Sequence, residues 1–300
     1  MNGLTTTHET AVRLADAGSP ARNRRLALSP VKAALLVLMA MVAVGQLFPL
    51  VWLVNYSFLK SGEFYSDAIL KWPDEFQWKN YRDAFTYGHV PEYFLNSVIV
   101  TAASIAGTLL LSLTMAYAFT RMRWKWREVS KNLILIGMMI PIHATLLPNY
   151  ILFHKVGLLN HYLGLILPYI AVSIPISIYI VSGFLESLPT AVEESAVIDG
   201  CSIYGVIFRI VTPMVAPALG TVGVMTFISC WNEFIMAYTF ITEESLKTLP
   251  FSIIQFVGQY SSNYGAQFAV LTIIALPSLL MYLLFTEQIA RGLTAGAVKG

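Results

Sequence analysis

Leu188-Pro-Thr-Ala-Val-Glu-Glu-Ser-Ala-Val-Ile-Asp-Gly200, running on to Arg209-Ile-Val-Thr-Pro213, is a semi-polar interruption between two long apolar runs. Thr190 followed by Glu193 fits a capping box, in which a hydroxyl and a carboxylate satisfy the free backbone donors of a first helical turn. Gly200 suits the left-handed position that ends such a helix. Ser202 then suits the cap of a second short helix that runs through Arg209 and stops before Pro213. The reading is a helix-turn-helix that exposes Glu193, Glu194 and Asp199. Such a knob fits a groove on another protein; it also suits an amphipathic helix at a membrane surface with no partner.

The flanking runs decide what kind of protein carries this knob. Tyr162–Leu185 precedes it and Ala216–Phe240 follows it, and four more runs of comparable length lie at Val31–Tyr56, Tyr93–Phe119, Lys131–Phe153 and Ala266–Glu287. Each meets the requirement of about 20 residues for crossing a bilayer as a helix. Of 300 residues, 56% are hydrophobic and 12% charged, against about 25% charged in a soluble domain. The mean hydropathy is +0.65. Too little polar sequence exists to coat a water-soluble core. The fold class is therefore all-α, a polytopic membrane protein with six transmembrane helices. The first run is longer than the 7–15 residues of a signal-peptide core, and no clear small-x-small cleavage site follows it, so it reads as an uncleaved span.

Orientation follows from Lys and Arg in the connections. With the N-terminus inside, 13 basic residues are cytoplasmic and 6 are outside. The cluster Arg121-Met-Arg-Trp-Lys-Trp-Arg127 dominates that bias, and both termini are placed in the cytoplasm. The expected organisation is a cytoplasmic tail over 1–30, a first span with an extracytoplasmic loop over 31–92, a five-helix core over 93–288 that includes the loop 189–215, and a cytoplasmic tail over 289–300. A net charge of +2 implies no nucleic-acid partner. Cys201 and Cys230 form no disulfide framework and no metal spacing, and read as inert thiols.

Catalytic signatures are missing. No Gly-Lys dipeptide occurs, which excludes a phosphate-binding Walker loop, and there is no His-Glu-x-x-His or Gly-x-Ser-x-Gly. His143, inside the third run, reads as hydrogen-bonded to a neighbouring helix rather than as a catalyst. An ion-coupled carrier would bury carboxylates at the midplane, where each costs about 2.5–3.5 kcal/mol. Glu233, in Trp231-Asn-Glu-Phe234, is the one candidate. Counted from Pro217 it lies roughly 24 Å along its span, near the outer interface, where it is either hydrated beside Trp231 in an aromatic belt or lines a substrate path. Pro49, Pro141, Pro148, Pro168, Pro175, Pro217 and Pro277 lie in or at the edges of spans. They produce packing kinks or the broken helices of a transport route. A self-sufficient carrier or channel would need its own charged site, and an intramembrane enzyme a nucleophile or metal cluster; neither pattern is present. The energy for transport is expected from a partner.

Glu193-Glu-Ser-Ala-Val-Ile-Asp-Gly200 with Arg209-Ile-Val-Thr-Pro213 resembles the "EAA" loop of binding-protein-dependent ABC importer permeases. Ser195 stands where that pattern has Ala, and Thr212 where it has Leu. Tyr93-Phe-Leu-Asn-Ser97, Ala116-Tyr-Ala-Phe119, Pro141, Pro148-Asn-Tyr150, Gly157-Leu-Leu-Asn160, Trp231-Asn-Glu-Phe234 and the tail Gly292-Leu-Thr-Ala-Gly-Ala-Val-Lys-Gly300 resemble the MalG-like carbohydrate branch of the same family. The resemblance runs from about Phe48 to Gly300; residues 1–30 carry none of it.

The resemblance implies a non-catalytic subunit in a prokaryotic inner or plasma membrane, forming half of a sugar pathway. Its partners in the lipid bilayer would be a homologous second permease, an ATPase dimer below and an extracytoplasmic sugar-binding protein above. No cofactor is expected on this chain, with ATP and Mg on the ATPase. Glu193, Glu194, Ser195, Ala196, Asp199, Gly200 and Pro213 would form the ATPase-coupling element. Asn149, Trp231, Asn232 and Glu233 are expected along the substrate path. Leu293, Thr294, Ala295 and Gly296 are expected to touch the ATPase, and no metal site is expected.

Overall fold

The computed structural model describes residues 30–65, 71–258 and 262–297, and among these every regular element is a helix. The chain forms two compact units, 1–51 and 52–300. In the first, the described residues belong to α1 (Pro30–Tyr56), whose only charged residue is Lys32 near its start; its last turn, from Trp52, belongs to the second unit. The second unit continues with α2 (Trp78–Tyr87), α3 (Val90–Thr120), α4 (Arg127–Ile136), α5 (Leu146–Val156), α6 (Leu163–Ser187) and α7 (Ala191–Ile198). It ends with α8 (Ile203–Met214), α9 (Ala216–Trp231), α10 (Ile235–Phe240) and α11 (Tyr264–Ala297).

Among the described residues, four helices are long and apolar enough to cross a membrane: α1, α3, α6 and the stretch Tyr264–Thr286 of α11. Two bent pairs, α4 with α5 and α8 with α9, bring the number to six when each pair counts as one crossing. Five of the six runs read from the sequence fall on these elements; the run Ala216–Phe240 covers α9 and then α10 instead of α8.

α3 shows how a bilayer inverts the usual helix pattern. It buries Asn96, Ser97, Thr101, Ser104, Thr108 and Ser112, and exposes Leu95, Ile99, Leu110 and Leu111. Small hydroxyl side chains at three- and four-residue spacing let helices approach closely, the packing that works when lipid offers no hydrophobic drive. α6 takes up most of that face. The approach is close enough that a Cβ on Gly107 would lie 2.4 Å from Ile170 Cδ1. α9 packs against α3 and α11 packs in turn against α9.

Two runs that read as continuous are interrupted. Between α4 and α5 the direction changes by 96° at Ile140-Pro141. Proline disfavours a helical residue before it, and Ile140 is extended at φ −84°, ψ 115°. The run Ala216–Phe240 stops being helical at Asn232–Phe234. α9 alone, at 16 residues, covers about 24 Å, short of the ~30 Å hydrocarbon thickness, so the fifth crossing is a composite of bent pieces.

Candidate functional site

The loop expected to couple to an ATPase is built on the ends of α3 and α6. α7 ends in a Schellman motif: the Gly200 N–H donates to the Val197 carbonyl at 3.0 Å and the Cys201 N–H to the Ala196 carbonyl at 2.9 Å. Gly200 sits at φ +83°, as its place in the sequence demands. Ser202 caps α8 by accepting the Gly205 N–H at 3.3 Å.

The capping box at Thr190 does not form. Thr190 donates its hydroxyl to Glu194 at 2.8 Å instead, and Glu193 is not exposed but turned inward, 6% accessible. What draws it in is Arg121, one residue past the end of α3. Arg121 Nε donates to Glu193 Oε1 at 2.9 Å, and Nη2 donates to the carbonyls of Leu185 and Leu188 at 2.9 and 3.0 Å. One guanidinium thus satisfies carbonyls at the C-terminal end of α6 and pairs with the first turn of α7. The helix dipole favours a cation at α6's C-terminus and an anion at α7's N-terminus. α8 also departs from expectation by continuing through Pro213 to Met214. Its turns widen to a π-helix over Val206–Val211, and the Thr212 hydroxyl donates to the Ile207 carbonyl at 2.8 Å, which accommodates the proline.

With Glu193 withdrawn, the outer surface of the knob is Val192, Glu194, Val197, Ile198, Asp199 and Tyr204, with Ile198 85% exposed. Ser195 is exposed and bonds back to the Ala191 carbonyl, Ala196 packs half-buried on the core, and Pro213 is exposed. That core joins Leu113, Tyr117, Val181, Leu185, Val206 and Val211 from α3, α6 and α8. The knob is therefore a rigid extension of the membrane helices.

At the other end of α9 the four expected path residues separate into two roles. Asn149 lines a cavity of about 370 Å³ between the bent α4–α5 pair and α6, with Thr145, Ile140 and Pro175. Asn232 is exposed, its amide bonded to the Ile228 carbonyl at 2.9 Å and to Ser278 at 3.3 Å. Trp231 is not in an aromatic belt. It is 2% exposed, stacked on Phe227, with its indole N–H on the Ile274 carbonyl at 3.0 Å. Glu233 accepts the Tyr169 hydroxyl at 2.6 Å and the N–H groups of Met236 and Ala237 at 2.8 and 3.2 Å. It is neither simply hydrated nor free: it caps α10. The opposite end of α10 is held by Asn160, whose side-chain oxygen accepts the N–H groups of Thr242 and Glu243 at 2.6 and 2.9 Å.

Beyond α10, Glu244 accepts from Lys247 Nζ at 2.5 Å, from Gln255 at 2.7 Å and from the Tyr93 hydroxyl. These donors, Lys247 first, hold its carboxyl below the usual glutamate range. His143 is exposed at the α4–α5 bend; its carbonyl accepts the Leu146 N–H, but its imidazole makes no hydrogen bond among the described residues, contrary to expectation. Cys230 is buried and Cys201 half-buried, both unbridged. Among the described residues no group of His, Cys, Asp and Glu could hold a metal. The side chains of Leu293, Thr294, Ala295 and Gly296 lie outside the described residues.

Sequence reading missed Arg121, Tyr169 and Asn160 as structural keys. In the sequence Arg121 stands at the head of a basic cluster, which hides that it is the first cation after a span and pairs with a carboxylate of the following loop.

Among the described residues, four to six helical segments long and apolar enough to cross a membrane, joined through a short helical knob, fit a membrane transport subunit. Residues 108–293 match the family model of the binding-protein-dependent transport system inner membrane component, and the chain belongs to that family. It is a multi-pass membrane permease.

It is 36% identical over 255 residues to the probable ABC transporter permease protein YurM of Bacillus subtilis (strain 168), covering 84% of each chain. It is 32% identical over 261 residues to the sulfoquinovosyl glycerol transport system permease protein SmoH of Agrobacterium fabrum, covering 87% of this chain and 92% of that one. To the trehalose/maltose transport system permease protein MalG of Thermococcus litoralis it is 32% identical over 267 residues, covering 88% and 94%. The fold matches a chain from the crystal structure of a bacterial ABC transporter that imports alginate, with a TM-score of 0.75 at 18% identity over 90% of this chain and 99% of that one.

Proposed function

We propose that this chain is one of two permease subunits of an ATP-driven sugar importer, with α7, Gly200 and α8 as its coupling element. The observation that carries the reading is the knob itself. An apolar tip of Val197, Ile198 and Tyr204 flanked by Glu194 and Asp199 is exposed, while Arg121 and Glu193 lock its base to α3 and α6. A partner that pushes on this tip moves the spans as a body, a transition between two packings biased by contacts that differ in each.

In this reading ATP and Mg bind on the ATPase dimer and an extracytoplasmic binding protein delivers the sugar. Both termini face the cytoplasm, where Leu293–Gly296 meet the ATPase. The organisation is a tail over 1–30, a first span and outer loop over 31–92, a core over 93–288 and a second tail over 289–300. Sugar as cargo is supported by relatives named for trehalose/maltose, diacetylchitobiose and galactooligosaccharides. Asn149 and Asn232 face the path, and Trp231 and Glu233 shape its outer rim.

The test is cross-linking from a cysteine at Ile198, in a chain lacking Cys201 and Cys230, to the ATPase expressed with it. A cross-link whose yield changes on adding ATP supports the reading. Efficient assembly of the complex with no cross-link from Ile198 or Tyr204 removes the knob from the interface.

A further inference from the structure

A second cavity, of about 180 Å³, lies between α6 and α9, midway along α6. Its polar lining is four hydroxyls, those of Ser173, Ser177, Thr226 and Ser229, beside Ile176 and Met225, and no charged side chain reaches it. Hydroxyls in membrane helices ordinarily bond back to a carbonyl one turn earlier. Ser177 does so, donating to the Ser173 carbonyl at 2.6 Å, as do Thr114, Thr239 and Thr272 on other helices. Ser173 and Thr226 do not. They are 9% and 3% exposed, they line the cavity, and their hydroxyls make no hydrogen bond among the described residues. Ser104, Thr108 and Ser182 have buried hydroxyls without a partner elsewhere in the helix packing; the hydroxyls of Ser173 and Thr226 instead open onto the cavity.

Resting on the sugar-permease reading, we propose that this cleft is a substrate subsite that takes the hydroxyl edge of one uncharged sugar ring. Ser173 and Thr226 each supply a donor and an acceptor, which matches the dual character of a sugar hydroxyl. The volume is below the roughly 300–1,000 Å³ of pockets that enclose a whole ligand, so one ring edge enters while the rest of the solute stays outside this subunit. Charge sets the class. The described spans present no Lys or Arg to the cavity or to its neighbour across Val172. An anionic sugar would cross this half of the path without a counter-ion, a penalty a neutral one escapes.

The test uses proteoliposomes holding the complete importer: both permeases, ATPase and binding protein. Uptake is measured for maltose, trehalose and diacetylchitobiose as neutral probes and digalacturonate as the acidic one. The expected result is uptake confined to neutral probes, with Ser173→Ala and Thr226→Val each raising KM about three- to tenfold, the worth of one hydrogen bond. Because both hydroxyls are unpartnered in the structure, the variants should melt at the wild-type temperature or above it. A lowered melting temperature would instead mark a structural role and overturn the subsite. Unchanged KM in both variants also overturns it while leaving the permease reading intact. Faster uptake of digalacturonate overturns the charge class. A wild-type importer that moves none of the four sugars removes the sugar reading, and this subsite with it.

Discussion

Arg121 makes three hydrogen bonds that join the ends of α3, α6 and α7, at a position only 12% accessible. Removing one partner of a buried ion pair costs about 3–5 kcal/mol, because the other charge is left unpaired. Arg121→Ala should therefore loosen the knob, lowering both recovery of the ATPase complex and the uptake per ATP hydrolysed. Glu193→Gln keeps a hydrogen bond and should do less harm; equal damage from both, or none from either, would contradict the account. At the far end of α9, Glu233→Ala strips α10 of its cap and the Tyr169 hydroxyl of its acceptor, at about 1–3 kcal/mol. Uptake should fall while the ratio of two competing sugars stays constant, which dual-label uptake measures. Glu244 has its carboxyl depressed by Lys247 and Tyr93, so its brace is complete above the ordinary glutamate range and lost as pH falls through the lower folded value. Glu244→Gln should accordingly lower the melting temperature at neutral pH and much less in acid.

At the scale of elements, Gly200 carries the turn between α7 and α8. A Cβ there meets nothing within 4 Å, so the cost of Gly200→Val is conformational: about 1–3 kcal/mol for a side chain at positive φ, raised by β-branching. The chain should insert normally and lose ATP-driven uptake, as membrane fractionation and transport assays would show. Gly200→Asn, which tolerates that region better, should retain more activity. The turn was legible because glycine has one physical reason to stand there. The capping box was not, because Thr190 and Glu193 fit it locally and a distant guanidinium competed for the carboxylate. The breaks at Ile140-Pro141 and Asn232–Phe234 differ in the same way. Proline announces a bend in the sequence; at the second break the Glu233 carboxylate accepts the Met236 and Ala237 N–H groups, a contact its sequence position does not announce.

For the whole molecule, hydrophobic run length located the four continuous apolar helices and the bent α4–α5 pair, since in lipid the backbone must satisfy itself within helices; it carried the fifth run past the break at Asn232 and left α8 out of it. What run length could not give is which residues meet across the bundle. The contacts of Arg121 with Glu193 and Tyr169 with Glu233 join residues 64 or more apart. Orientation rests on the basic bias, which predicts that a cysteine at Thr86 is labelled from outside and one at Lys125 from inside, in a chain lacking Cys201 and Cys230. The reverse pattern would invert the map. The central claim is that this subunit transports nothing by itself and works only when an ATPase acts on its knob. The most direct measurement is sugar accumulation in proteoliposomes assembled stepwise. The account predicts no accumulation with this chain alone or with the second permease, and ATP-dependent accumulation once ATPase and binding protein are added. Accumulation driven by an ion gradient through this chain alone would contradict it.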